Sequence, residues 1–138
     1  MLASLSKVNS NDMQKLVIQP TDNTPKVVLD PDKSNFEISG SSHPENPAKF
    51  YNPILNWIDE YVKAPNKLTE VSFNLEYFNS STAKYILNIL WGFEKITKLG
   101  THKVVFYWYY KEEDLDAFAS GERYAQLTTT EFRLVKQP

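Results

Sequence analysis

Between Leu68 and Tyr77 the chain alternates: Val71, Phe73, Leu75 and Tyr77 are apolar, while Ser72, Asn74 and Glu76 are polar. A period of two is that of a strand with one buried face, so the sheet it joins is expected to leave its other face to water. From Ser80 the period changes. Thr82, Ala83, Ile86, Ile89, Leu90, Phe93 and Ile96 recur at helical spacing, and the helix is expected to run to Leu99, with Gly100 as its C′ residue. Upstream, Leu16 to Gln19, Lys26 to Leu29 and Asn35 to Ser39 are short β-type runs, the last two separated by the turn signal Asp30-Pro31-Asp32-Lys33-Ser34. The domain therefore opens on a hairpin. Asn46-Pro47 and Asn52-Pro53 each pair a capping residue with a first-turn proline, and the helix proper is expected from Pro53 to about Val62. Downstream, Val104 to Tyr110 reads as a strand, Glu112 to about Tyr124 as a helix interrupted near Gly121, and Glu131 to Val135 as a last strand.

A hairpin followed by α, β, α, β, α, β predicts an α/β fold, a mixed β-sheet with helices packed mainly on one face. Residues 1 to 15 are expected to form a polar, flexible leader, and residues 16 to 136 a single domain. Within the long helix, about 100 degrees of rotation per residue places Ser80, Lys84, Asn88, Trp91, Lys95 and Lys98 on a strip about 80 degrees wide, opposite the apolar side. A tryptophan on a polar strip is either covered by a neighbouring loop or an anchor for a partner.

Composition narrows the class. The chain has 138 residues, 41% hydrophobic and 14% aromatic, enough for one domain with a packed core. A net charge of −2 with no basic block argues against nucleic acid as a partner. Without cysteine there are no disulfides, thiolate metal sites or cysteine nucleophiles. The leader lacks the apolar run of a signal peptide, and no later stretch approaches about 18 apolar residues. The expectation is a cytoplasmic protein without a membrane partner.

Catalytic constellations are poorly represented. His43 and His102 are far apart in sequence, with no nucleophile or metal-spaced companion beside either, and both read as surface or capping residues. The acids Glu112, Glu113, Asp114 and Asp116 suit the first turn of a helix, where they complement its dipole, better than a Mg²⁺ site. Asp30 and Asp32 are explained by a turn. Four glycines, scattered along the chain, form no phosphate-cradling loop. No enzyme, cofactor or metal is expected. The aromatic run Phe106 to Tyr110 suits a pocket-lining sensor strand, but core and sheet packing account for it more simply.

The junction Tyr77-Phe78-Asn79-Ser80-Ser81-Thr82-Ala83-Lys84 carries the sharper chemistry. It joins a strand to a helix through a row of hydroxyls, where unpartnered N–H groups and the helix dipole favour an anion. Asn, Ser and Thr before a helix are usually caps, yet one cap suffices and four candidates stand in succession. On the wheel Thr82 points to the core, whereas Ser80 and Ser81 lie near the exposed strip. A kinase therefore reaches either serine more readily than the threonine. Phosphate on Ser80 adds about −1.5 to −2 charge one turn before Lys84.

The segments Phe36-Glu37-Ile38-Ser39-Gly40, Pro44-Glu45-Asn46, Phe50-Tyr51-Asn52-Pro53-Ile54 with Trp57 and Tyr61, Tyr77-Phe78-Asn79-Ser80-Ser81, and Trp108-Tyr109-Tyr110 resemble, in order, the SiaC-type regulatory phosphoproteins. That family in turn resembles the anti-sigma-factor antagonists, or STAS domains, so the resemblance implies a STAS-like single domain. It also implies a partner-switching protein without catalysis, phosphorylated by a dedicated protein kinase and reset by a PP2C-type phosphatase. Unphosphorylated, such a protein binds and activates a diguanylate cyclase that makes cyclic di-GMP for biofilm control. The family's acceptor, typically a threonine directly after asparagine, maps onto Ser80, with Ser81 second. Tyr77, Phe78, Asn79, Lys84, Asn88 and Trp91 are then the expected partner-binding residues. The competing expectations are a small-molecule sensor and a constitutive adaptor without phosphorylation.

Overall fold

A computed structural model describes residues 13–138. Six strands form one sheet in the order of the chain: β1 (Leu16–Ile18), β2 (Lys26–Asp30), β3 (Asn35–Ser42), β4 (Leu68–Phe78), β5 (Lys103–Lys111) and β6 (Glu131–Gln137). β1, β2 and β3 form an antiparallel meander, and β3 to β6 are parallel. Parallel neighbours need crossovers, supplied by α1 (Pro47–Tyr61), α2 (Ser80–Glu94) and α3 (Leu115–Gln126). When each strand is added beside the last by crossovers of one hand, every helix falls on the same face. Accordingly one core holds Val27, Leu29, Phe36, Ile38, Val71, Phe73, Phe106 and Trp108 of the sheet with Ile54 and Ile58 of α1, Ile86, Ile89 and Phe93 of α2 and Tyr124 of α3. Burial of each large side chain contributes about 1.5–3 kcal/mol. The opposite face carries Glu37, Ser72, Asn74, Tyr107 and Arg133, all at least partly exposed, as the alternation in β4 predicts.

Several boundaries differ from the sequence reading, each for a local reason. α1 begins at Pro47, not Pro53: the Asn46 side chain accepts from Lys49 N at 3.2 Å and caps it there. Pro53 is tolerated inside the helix on its exposed side, because the carbonyl it leaves without a donor can be hydrated. α3 begins at Leu115, so Glu112 and Glu113 precede it and only Asp114, as N-cap accepting from Ala117 N at 3.0 Å, and Asp116 belong to its start. Gly121 does not interrupt α3. It is buried where the helix crosses the sheet, and a Cβ there would lie within 2.5 Å of Trp108 Cδ1 and closer still to Leu134 Cδ2. α2 is helical to Glu94 and tightens into a 3₁₀ turn over Lys95–Leu99 before Gly100, whose φ of 81° closes it.

Of the expected leader, residues 1–12 lie outside the described residues. Met13 packs against the core and the Gln14 carbonyl accepts from Trp57 Nε1 at 2.8 Å.

Candidate functional site

The parallel strands end on one side of the sheet, and there β3, β4 and the first turn of α2 meet. Gly40 pairs with Leu75 but Ser41 pairs with Tyr77, so Glu76 is an extra residue in β4. Gly40 takes the positive φ of 110° that this irregularity requires. The bulge corrects the alternation: Tyr77, in phase with the buried Val71, Phe73 and Leu75, is turned outward and is 56% exposed. It lies edge-on to His43, ring centroids 5.9 Å apart. Phe78 turns the other way, half-buried against Trp108.

The strand then hands over to α2 through Asn79. Its side-chain oxygen accepts from Thr82 N at 3.0 Å and from the Ser81 hydroxyl at 2.9 Å, while its own N–H donates to the Ser42 carbonyl at 3.1 Å. Thr82 is fully buried and donates to that same carbonyl at 3.2 Å. Its oxygen is also 2.8 Å from Ser42 Oγ, which is 2.6 Å from the Tyr51 hydroxyl. With one proton per hydroxyl, these contacts close as a chain in which Tyr51 donates to Ser42 Oγ, Ser42 Oγ to Thr82 Oγ1, and Thr82 to the Ser42 carbonyl. Burial holds the Tyr51 hydroxyl above its ordinary pKa, against the opposing effect of bonds to Ser42 and Thr82, so its proton is retained. The first turn of α2 is thus bolted to the end of β3 and to α1. Tyr124 of α3 adds a bond to the Ala83 carbonyl at 2.9 Å.

This scaffold sorts the three hydroxyls. Thr82 is consumed in the interior, Ser81 is half-buried and engaged by Asn79, and Ser80 is exposed with no side-chain hydrogen bond among the described residues. Lys84, Asn88 and Trp91 follow Ser80 on the exposed side of α2. At Trp91 the indole N–H donates to the Leu127 carbonyl at 2.9 Å, so a neighbouring loop does reach it, and 45% of the residue stays exposed. Beside the junction, Glu76, Tyr77, Phe78, Asp114 and Asp116 line a hollow of about 200 Å³. The sequence reading missed Ser42 and Tyr51, because nothing local marks a serine at a strand end as the partner of a threonine forty residues away.

A family model described as SiaC family regulatory phosphoprotein matches residues 18–137. The chain belongs to the SiaC family. A relative of uncharacterised role from Pseudomonas aeruginosa (strain UCBPP-PA14) is 27% identical over 121 residues, covering 88% of this chain and 89% of its own. Among solved structures, SiaC of Pseudomonas aeruginosa superposes with a TM-score of 0.80 at 22% identity, over 91% of this chain and all of that one. The SiaC in a crystal structure of the diguanylate cyclase SiaD with its activator SiaC, from the same organism, gives 0.81 at 22% identity, over 88% and 99% of the two chains. At these identities the structural likeness establishes a shared SiaC fold. Membership in the family rests on the sequence match along nearly the whole described chain.

The remaining candidate chemistry is accounted for by structure. Among the described residues no group of three or more His or acidic side chains is placed to hold a metal ion, and no helix is long and apolar enough to cross a membrane. Asp30 Oδ1 accepts from Lys33 N at 3.4 Å within its turn. In β5, Phe106 and Trp108 are core, while Tyr107 lies on the open face, where its hydroxyl donates to Glu70 at 2.6 Å.

Proposed function

We propose that this SiaC-family chain is a partner-switching phosphoprotein without catalysis of its own, in which Ser80 is the acceptor. Unmodified, the face carrying Tyr77, Ser80, Lys84, Asn88 and Trp91 binds and activates a target protein, a diguanylate cyclase, as SiaC does for SiaD. A protein kinase places phosphate on Ser80 and a PP2C-type phosphatase removes it. The switch operates in the cytoplasm, where ATP for the kinase and GTP for the cyclase are available. Asn79 and Phe78 act from beneath, as cap and as packing, rather than by touching the partner.

The observation that carries this reading is the difference among the hydroxyls: Ser80 alone of the three is exposed and, among the described residues, without a side-chain hydrogen bond. Phosphorylation there breaks no internal hydrogen bond, so the fold is left as it was. What changes is charge. About −1.5 to −2 is added one turn before Lys84 on the exposed side of α2. Burying that group against a partner without matching cations costs several kcal/mol, and each 1.4 kcal/mol is tenfold in affinity. Charge alone can therefore switch binding.

Intact-mass and site-mapping analysis of protein isolated from its native cell, with co-purification of the cyclase, tests this directly. One phosphate at Ser80, cyclase captured and activated by Ser80→Ala, and neither with Ser80→Asp is the expected result. Absence of phosphate at Ser80 under every growth condition, or equal cyclase binding by the two variants, overturns the proposal.

A further inference from the structure

The loop between α3 and β6 is held to α2 in a way the acceptor site does not require. Glu94 Oε2 accepts from the backbone N–H of Thr129 and of Thr130 (2.8 Å for the latter), and from the Thr129 and Thr130 hydroxyls at 3.2 and 3.1 Å. Thr128 is buried and donates to the Tyr124 carbonyl at 3.0 Å. The Leu127 carbonyl accepts the Trp91 indole N–H. Four donors on one carboxylate oxygen make a latch, and its consequence lies on the surface. Trp91 and Leu127, each 45% exposed, are brought together across the gap between α2 and α3.

Glu94 is the acid nearest the exposed strip of α2 in sequence; it keeps its charge, with its carboxylate turned to the Thr129 and Thr130 donors of the loop. The strip itself then carries Lys84, Lys95 and Lys98, all exposed, and no acid. Lys95 reaches Asp59 of α1 only at 4.0 Å, between largely exposed groups. Arg123, one turn before Leu127 on α3, is exposed as well. Trp91 and Leu127 thus share this surface with four exposed cations, against Glu94 and the exposed Glu122 as the acids beside them.

We infer that the docking face is a two-part surface, in which the Leu127–Thr130 loop, latched to α2 by Glu94 and Trp91, supplies a second apolar anchor for a partner surface that is apolar at its centre and acidic at its rim. The occupant is the target protein of the partner switch, on whose existence this inference rests. Tryptophan and arginine are enriched where binding energy concentrates, and complementary charge speeds encounter. The location of Ser80 on the same strip gives phosphate its effect, since it adds negative charge to a face that selects an acidic partner.

The test uses the full chain and the cyclase that co-purifies with it, with affinity measured by calorimetry at two salt concentrations. Leu127→Gln is expected to weaken binding tenfold or more while leaving the melting temperature within about a degree of wild type, because Leu127 is exposed. Lys84→Glu is expected to weaken binding and to flatten its salt dependence. Glu94→Ala is expected to speed amide exchange at Thr129 and Thr130 and to weaken binding in step. Wild-type affinity in Leu127→Gln, with binding still abolished by Ser80→Asp, overturns the two-part surface and leaves the switch standing. Weakened binding by Leu127→Gln with no effect of Ser80→Asp keeps the surface and removes the switch.

Discussion

Replacing Thr82 by valine removes one hydroxyl from the interior while nearly preserving the outline of the side chain. Thr82 is fully buried, and its oxygen takes part in two bonds: 2.8 Å to Ser42 Oγ and 3.2 Å to the Ser42 carbonyl. The carbonyl keeps its bond from Asn79 N, so its loss is small. Ser42 Oγ fares worse, because it still accepts from Tyr51 but its own proton loses its acceptor in a fully buried position. A buried donor left unpaired costs about 1–3 kcal/mol, and the extra methyl returns about 0.8 kcal/mol of burial at most. The net expectation is about 1 kcal/mol, a fall of roughly 3–5 °C in melting temperature for a chain of this size. Urea unfolding followed by circular dichroism should show the midpoint lowered with the slope unchanged. Tyr51→Phe breaks the same chain of hydroxyls, so the double variant should lose less than the sum of the two single losses. Under the proposed switch, phosphate at Ser80 should be retained, since Ser80 itself is untouched. A Thr82→Val protein within about 0.5 kcal/mol of wild type would show that the hydroxyl chain does not hold the junction. Loss of the phosphate with Ser80 intact would make Thr82 the acceptor.

Asn79→Ala removes the cap that receives Thr82 N and the Ser81 hydroxyl, and should lower stability by about 1 kcal/mol, read by the same urea titration. Gly121→Ala forces a methyl against Trp108 and Leu134; the Trp108 ring is buried and its N–H is committed to the Ala117 carbonyl, so a loss of about 3 kcal/mol or more is expected in thermal melts. Burial holds the hydroxyls of Tyr51, Tyr61 and Tyr124 above the ordinary tyrosine value of 10.0. Each therefore keeps its proton in the folded state where the unfolded chain would release it, and the stability this represents is complete below pH 10 and lost as pH rises beyond it. The urea midpoint should fall above pH 10, and near-ultraviolet absorbance should show fewer than the eight tyrosines of the chain ionising before unfolding; ionisation of all eight in the folded protein would refute this.

The division between what could and could not be read in advance follows distance along the chain. The wheel of α2 separated buried Thr82, Ile86, Ile89 and Phe93 from exposed Ser80, Lys84, Asn88 and Trp91, because one turn of helix is a property of neighbours. Alternation in β4 and the Asn79 cap were legible for the same reason. The boundary of α1 was not, since both Asn-Pro pairs carry the same local signal and only the docking of Tyr51 into the core favours the earlier start. Tyr77 illustrates a second kind of failure. Its period assigns it inward, and the bulge against Gly40 turns it out.

By itself, then, the sequence determined a mixed α/β domain, the strand-to-helix junction and the hydroxyls that meet there, through periodicity and capping, which act over a few residues. Tertiary structure decided what the buried Thr82 hydroxyl is bonded to and which loop is held against α2. Ser42 and Tyr51 reach Thr82 across three elements, Glu94 captures a loop thirty-five residues on, and Trp91 finds Leu127. Those pairings depend on how strands and helices stack, because a buried hydroxyl must take whatever partner the packed core brings within hydrogen-bond distance.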